Sequence, residues 1–232
     1  MSNYVAKPGP IPGTTLWQIT ADDEGDGTLR VIPDAVMDVV CFGGTLLFAG
    51  PDTTASLVPS SPSEVTYGMR LAPGVAHTLL GIPADELVNQ RVELQQLTQL
   101  DRSVLEVAHL DPASALEQVM TSLWQNATPN PTELDLAHSL NQAAETGTSV
   151  SGTAKQHGLS ERTLRRISHR LFGYGPKTLM AIHRFQHALR LARSGSSIGE
   201  AAAVARYADQ AHLSREARRL GGAPIGALIR GD

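Results

Sequence analysis

The chain of 232 residues is poor in cysteine, in aromatic residues and in long apolar segments. Its one cysteine, Cys41, excludes an intrachain disulfide and a thiolate zinc cage, and suits a reducing compartment. Aromatic residues are only 4% of the chain, so stacking on bases is not expected to dominate binding. No apolar run reaches the roughly 20 residues that span a bilayer, and residues 1–13 lack the apolar region of a signal peptide. We therefore expect a cytoplasmic protein that contacts no membrane.

Charge is distributed very unevenly along the chain. Residues 149–232 contain 14 Lys and Arg against 5 Asp and Glu, a formal charge of +9. Residues 1–148 contain 5 against 18, a formal charge of −13. The overall composition, 41% hydrophobic and 18% charged, is that of a soluble globular chain. A basic module joined to an acidic one indicates two domains, of which the basic one binds nucleic acid.

The acidic part has the pattern of short strands. Residues 1–13 are rich in Pro and Gly and predict a flexible arm. Within the predicted β-rich domain, residues 14–110, short apolar runs alternate with turn signals such as Gly43-Gly44 and Gly50-Pro51 as far as about Arg70, and helical periodicity begins near Val75. This punctuation predicts a small antiparallel β-barrel or sandwich.

The candidate chemical groups of the acidic part do not form a motif. His77 lacks the second histidine and the carboxylate of a metal site, so we expect no metal and no cofactor. Cys41 lies in an apolar run and is interpreted as a small core residue. Arg70 is either a surface residue of a strand or the receptor of an anionic ligand inside the barrel. No nucleophile–base pair or Gly-rich phosphate loop indicates an enzyme.

Residues 111–147 are predicted to be linker helices. Asp111 provides an N-cap and Pro112 occupies the first helical position. Apolar residues then follow the 3.6-residue period, and a second helix is expected from about Thr132. These helices either supply a dimer seam or cover the barrel.

Residues 148–232 predict an all-α domain of two helix-turn-helix units joined by a long helix. In the first unit, Ala154 allows two helices to cross closely, Gly158 permits a tight turn, and Ser160 caps the second helix. Ala202 and Asp209 take the equivalent roles of Ala154 and Ser160 in the second unit. The joining helix, over residues 177–192, is about 24 Å long at 1.5 Å per residue.

The second helix of each unit has an outward polar face suited to the major groove of DNA. Guanidinium groups can bond bidentately to guanine, and Gln to adenine, whereas other polar groups position the protein on phosphates. A merely solvated charged face is the alternative for any Arg stripe, and the preceding turns argue against it. The candidate base-reading residues are Arg162, Arg165, Arg166, Gln210, Ala211, His212 and Arg215. The candidate phosphate-contacting residues are Ser160, His169, Lys177, Ser214, Arg218 and Arg219.

These residues resemble the C-terminal domain of AraC-type (arabinose-regulator-like) bacterial transcription factors. The pattern is carried by Ala154-x3-Gly158-x-Ser160-x3-Leu164-x-Arg166, by Phe172-Gly173-Tyr174-Gly175-Pro176, and by the repeat from Ile198 to Pro224. The order Ile32-Pro33-Asp34-x3-Asp38, followed by Gly68-x-Arg70-x2-Pro73-Gly74, is similar to an N-terminal module of some such regulators. The resemblance implies a cupin-like sensory or dimerisation domain, and it places the base-reading positions on the residues given above.

Three positions depart from the family pattern. Arg206 stands where glycine is usual in the second turn, and Ser168 and Ala217 stand where phenylalanine is usual. The segment 220–224 is one residue short. The second unit is therefore expected to be looser than the first.

Taken together, the sequence predicts an α+β chain that is a sequence-specific transcriptional regulator and not an enzyme. The predicted partners are duplex DNA, a small-molecule effector, a second copy of the chain and RNA polymerase. The alternative is a small-molecule-binding or enzymatic β-barrel whose helical domain serves for docking. A basic module for RNA or membrane surfaces is disfavoured by the turn geometry and the few aromatic residues.

Overall fold

The computed structural model describes residues 3–20, 27–61 and 64–230, and places eight strands in the N-terminal part. Six of them form one antiparallel sheet in the order β1-β2-β7-β4-β5-β8, and β3 pairs with β6 in a separate ladder. The strands are β1 (Asn3–Pro8), β2 (Thr14–Thr20), β3 (Thr28–Val31), β4 (Met37–Phe42), β5 (Thr45–Ala49), β6 (Ser56–Pro59), β7 (Val65–Leu71) and β8 (Arg91–Glu93). The expected antiparallel β-domain is thereby confirmed.

The two faces of the larger sheet differ in chemistry. Along β4 the residues Met37, Val39 and Cys41 are buried, and they alternate with the half-buried Asp38 and Val40. Because successive strand residues point to opposite faces, one face joins an apolar core and the other presents polar groups. Trp17 Nε1 donates a 2.7 Å hydrogen bond to Asp38 on this polar face.

The expected flexible arm over residues 1–13 is replaced by a strand over much of its length. Strand β1 pairs with β2 in register from Asn3–Thr20 to Pro8–Thr15. Tyr4 stacks on Trp17 with ring centroids 6.3 Å apart. The prolines that suggested a loose segment are compatible with this position, since β1 is an edge strand and Pro8 ends it.

Eleven α-helices and one 3-10 helix (Ala84–Leu87) are present among the described residues. The α-helices are α1 (Val75–Leu80), α2 (Leu94–Leu97), α3 (Arg102–Leu110), α4 (Pro112–Asn126), α5 (Pro131–Thr146), α6 (Val150–Gln156), α7 (Glu161–Phe172), α8 (Pro176–Arg193), α9 (Ile198–Val204), α10 (Gln210–Gly221) and α11 (Ile225–Arg230). None of these helices is both long and apolar enough to cross a membrane.

The two linker helices belong to different cores. Helix α4 begins as predicted, with Asp111 accepting from Ser114 N, and its apolar side packs in the core of the β-domain. Helix α5 begins at Asn130 and packs its apolar side in the core of the C-terminal domain. Of the two roles that the sequence allowed, α4 thus takes that of covering the sheet.

The two helix-turn-helix units repeat the same turn. The amide of Leu159 donates to Ala154 O at 2.9 Å in the first unit, and Tyr207 N donates to Ala202 O at 2.8 Å in the second. Gly158 has a left-handed φ of 62°. Arg206, its counterpart, has a φ of 60°, so a non-glycine residue carries the cost of that conformation. The all-α domain of two units joined by a long helix, α8, is confirmed.

Gly173 lies at the contact between the two domains. It ends α7 with a left-handed φ of 80°, and its amide donates to His169 O. A Cβ built on it would lie 2.5 Å from Pro51, 2.8 Å from Val88 and 3.0 Å from Ala84 O. The backbone of the first unit therefore approaches the N-terminal domain too closely for a side chain.

Gly173→Ala should destabilise the protein much more than Gly195→Ala. Both glycines have a positive φ, which costs an alanine about 1–2 kcal/mol, but Gly195 has no atom within 4 Å of its added Cβ. Crowding at Gly173 adds about 1–3 kcal/mol of overpacking. Calorimetric melting temperatures of the two variants test this, and equal losses would contradict the tight domain contact.

Arg206→Gly should raise the free energy of unfolding by about 0.5–1 kcal/mol, because relief of the left-handed strain exceeds the added entropy of the unfolded chain. Arg206→Ala keeps the strain and serves as the control. The Nη1 of Arg206 lies 3.1 Å from the place a Cβ on Gly147 would take, beside the end of α5. Urea unfolding measures both variants; an Arg206→Gly variant less stable than wild type would mean that this contact outweighs the strain.

Candidate nucleic-acid interface

Helix α7 presents three arginines on one exposed face. It is capped by Ser160, whose hydroxyl accepts from Thr163 N at 3.1 Å. Arg162, Arg165 and Arg166 are exposed, whereas Leu164 on the opposite side is fully buried. The structure thus brings the three predicted arginines together on one surface, held by a buried apolar stripe.

Ser168 has a specific structural role that sequence reasoning missed. It is fully buried, and its hydroxyl donates a 2.7 Å hydrogen bond to Tyr174 O. This bond fixes the turn that follows Phe172, which is itself buried. Ser168, which stands where phenylalanine is usual in the family, thus ties the end of α7 to the turn. Its unusual polar character at an inward position was the available signal.

The two second helices correspond position by position when their sequences are aligned on their N-caps, Ser160 and Asp209. Each has a buried leucine four residues after the cap and a left-handed glycine thirteen residues after it. Arg166 and Arg215 both follow the cap by six residues, and both are exposed. Arg162 corresponds to the exposed Ala211, so α10 presents less positive charge than α7.

Gln210 and Ala211 are exposed on the first turn of α10, whereas the next residue, His212, is half-buried. The His212 ring meets Tyr207 edge-on, with centroids 5.1 Å apart. The guanidinium of Arg184 also lies over the Tyr207 ring, 4.5 Å from its centroid. Tyr207 and Arg184 therefore orient the base-reading candidate His212, and their role was not foreseen because Arg184 is distant in sequence.

The remaining basic candidates differ in how far they are engaged within the protein. His169, Lys177 and Arg218 are exposed, and Arg218 Nη1 makes a weak 3.4 Å bond to the carbonyl of the half-buried Ser214. Arg219 instead donates from Nε to Glu216 at 3.1 Å and from Nη2 to the same carboxylate. Hydrogen bonding to Arg219 lowers the pKa of Glu216, so the pair is ionised at neutral pH.

The single candidate groups of the N-terminal domain are engaged inside the chain. Arg70 Nη2 lies 2.9 Å from Asp34 Oδ2, and its Nε lies 3.6 Å from Asp38. The anion that Arg70 faces is thus supplied by the protein. His77 Nδ1 hydrogen-bonds to Ile82 O at 3.0 Å, and Cys41 is buried. Within the described ranges, no group of three or more His, Cys, Asp or Glu could hold a metal ion.

Comparison with known proteins divides the chain in the same way. Residues 153–231 match a family model described as a helix-turn-helix domain, and residues 14–93 match one described as a domain of unknown function (DUF6597). No curated protein matches the chain significantly.

Solved structures of ToxT from Vibrio cholerae are among those similar to this chain. One has 9% identity and a TM-score of 0.47, with 100% of this chain and 98% of that chain covered. A second has 8% identity and a TM-score of 0.48, covering 100% and 97%. From the match to residues 153–231, together with the paired turns and caps, the C-terminal part of this chain is an AraC-type helix-turn-helix domain that follows a distinct N-terminal β-domain.

Proposed function

We propose that the protein is a sequence-specific DNA-binding transcriptional regulator that reads two adjacent major-groove segments of duplex DNA. The observation that carries this proposal is the pair of capped, exposed helices with an arginine at the same position, Arg166 in α7 and Arg215 in α10. A merely solvated charged face would not require arginines at equivalent positions of two helices. Two recognition helices that enter adjacent major-groove segments of one duplex would.

Base reading is assigned to the exposed faces of both helices. The arginines of α7 can form bidentate bonds with guanine O6 and N7, while Gln210 can pair with adenine and Ala211 can contact a thymine methyl group. Because Arg162 and Arg165 have no charged counterparts in α10, the first unit is expected to contribute more of the specificity. His212 is also assigned to base reading, and its ring is held in position by the edge contact with Tyr207.

Positioning on phosphates is assigned to His169, Lys177 and Arg218, which are exposed around the two reading faces, with Ser160 and Ser214 beside them. Arg219 belongs to this group only if DNA displaces Glu216. Such contacts carry little sequence information but supply much of the affinity, because each releases counterions.

The acidic N-terminal domain is proposed to respond to a small molecule or to hold two copies of the chain together. Its negative charge also reduces non-specific attraction to DNA, because it repels phosphates near the basic domain. Contact with RNA polymerase is part of the same proposal for a regulator.

Arg166→Ala should relax sequence preference at one base position, because loss of a bidentate contact costs about 1–3 kcal/mol of discrimination. The measurement is selection of binding sites from a random duplex library with the full-length protein. Arg102→Ala is the matched control, since Arg102 lies on α3 with a side chain 92% exposed. Identical selected motifs for wild type and Arg166→Ala would refute the assignment.

Arg218→Ala should weaken binding to all sequences alike and lower the slope of log affinity against log salt by about one, the loss of one phosphate contact. Titrations of one fixed duplex at several salt concentrations give this slope. Arg102→Ala should leave it unchanged. A changed motif with an unchanged slope would instead place Arg218 among the base-reading residues.

A further inference from the structure

A short segment of the N-terminal domain is inserted into the core of the C-terminal domain. Residues 32–35, which we name the interdomain wedge, connect β3 to β4. Ala35 has a left-handed φ of 69°, is 7% exposed, and packs within the apolar cluster of the C-terminal domain. Ile32 packs against the same cluster, and Pro33 O accepts a 2.7 Å hydrogen bond from Gln186 Nε2 of α8.

The wedge is flanked by contacts that hold both helix-turn-helix units. Ala55 N donates a 2.7 Å hydrogen bond to Leu220 O, near the end of α10, and Arg30 Nη1 donates to Gly221 O at 3.4 Å. Gly173, at the end of α7, packs on Pro51. One side of the β-domain therefore contacts α7, α8 and α10, so docking of the domains adds to the packing on α8 in holding the two reading helices at one spacing.

Asp34 connects the wedge to the sheet. Its carboxylate accepts from Arg70 Nη2 at 2.9 Å and from Val36 N at 3.3 Å. The charged and titratable groups that face it are Arg70 of β7, Asp38 of β4, Asp52 of the loop after β5, and Tyr174 of the C-terminal domain. The Tyr174 hydroxyl is buried and has no hydrogen-bond partner in the part of the chain that the structure describes.

We propose that the interdomain wedge is a pH-responsive coupling element, in which a neutral Asp34 favours docked domains and an ionised Asp34 loosens them. The docked form holds the two reading helices at one spacing and is therefore preorganised for DNA. Only this last consequence rests on the proposed function.

The electrostatics give the direction of the effect. Burial raises the pKa of Asp34 to about 6, because the loss of hydration outweighs the attraction of Arg70, and the nearby Asp38 raises it further. The pKa of Tyr174 is also raised, first by burial and then by Asp34 and Asp52, so the tyrosine of the C-terminal domain feels the same carboxylates. The side chain of Asp34 is still 39% exposed, which lets a proton reach it.

The difference in proton affinity between the docked and the separated state sets the pH range over which docking weakens. In a separated state the C-terminal domain no longer covers Asp34 while Arg70 of its own domain stays beside it, so the pKa of Asp34 falls back toward the ordinary 3.8. The docked state therefore binds the proton more tightly, and docking is strongest below that ordinary value. It weakens as the pH rises through about 6.

The test uses the full chain without DNA. Hydrogen exchange of peptides covering residues 30–37 and 52–58, corrected for intrinsic rates, is followed from pH 5 to pH 8. Protection of the wild type should fall with a midpoint near 6, whereas Asp34→Asn should stay protected throughout. Asp135→Asn, the same change at an exposed position of α5, should behave as wild type. Gln186→Ala should lower protection at every pH and leave the midpoint unchanged.

A flat wild-type profile, or an Asp34→Asn profile that falls like the wild type, would overturn the proposal. Duplex binding forms a separate arm: Asp34→Asn should bind at least threefold more tightly than wild type and Asp135→Asn at pH 8, and this advantage should become smaller toward pH 5. Equal affinities at pH 8 would overturn the preorganisation step. Absence of DNA binding by every variant would refute the proposed function and leave the exchange result to decide on the wedge.

Discussion

The C-terminal domain depends on the burial of one helix, α8. Leu179, Ile182, Phe185 and Leu189 are almost completely inaccessible, and they form one broad apolar face of the helix. Helix α8 packs against α5, α7, α9, α10 and α11, so nearly every element of the domain takes its place from this one. Some of the polar residues that flank this face have partners in neighbouring elements. His183, for example, bonds to Asn141 of α5 at 2.8 Å, and burial lowers its pKa so that it stays neutral.

The contact between the two domains joins opposite formal charges without relying on surface ion pairs. Hydrogen bonds from Ala55, Arg30 and Gln186 end on backbone carbonyls, and these bonds depend little on salt. One charged side chain does reach across the contact: Glu133 of α5, which bonds to Arg170 of α7 in its own domain, lies 3.7 Å from His77 of α1. Polar backbone groups at helix ends need partners, and here the neighbouring domain supplies them.

Features that depend on residues close together in the sequence could be predicted, whereas those that depend on distant residues could not. Turns and caps are local, so Gly158, Ser160 and Asp209 were placed correctly from their spacing alone. The outward arginines followed from the helical period and are exposed where expected. Strand β1 was missed because its pairing with β2 outweighs the local signal of Pro and Gly. Pairing of this kind depends on tertiary context and leaves little trace in a short peptide.

Contacts between distant segments could not be predicted from the sequence. The 32–35 motif was noticed as a pattern, but its insertion beside α8 depends on packing across some 150 residues of chain. Ser168 and the Tyr207–Arg184 pair are further examples, because a polar residue at an inward position indicates only that some partner must exist. Each of these residues joins elements whose relative placement is set by the whole fold.

The solitary cysteine has a practical consequence. Cys41 is 3% exposed, its sulfur lies 3.5 Å from Ala108 O beneath α3, and burial raises the pKa of its thiol. Thiol reagents react with exposed thiolates, so the buried Cys41 of the native chain should react with them very slowly at neutral pH. Any cysteine placed on the surface is therefore the only reactive one, and the natural sequence serves without further change as the background for attaching spectroscopic probes to either domain.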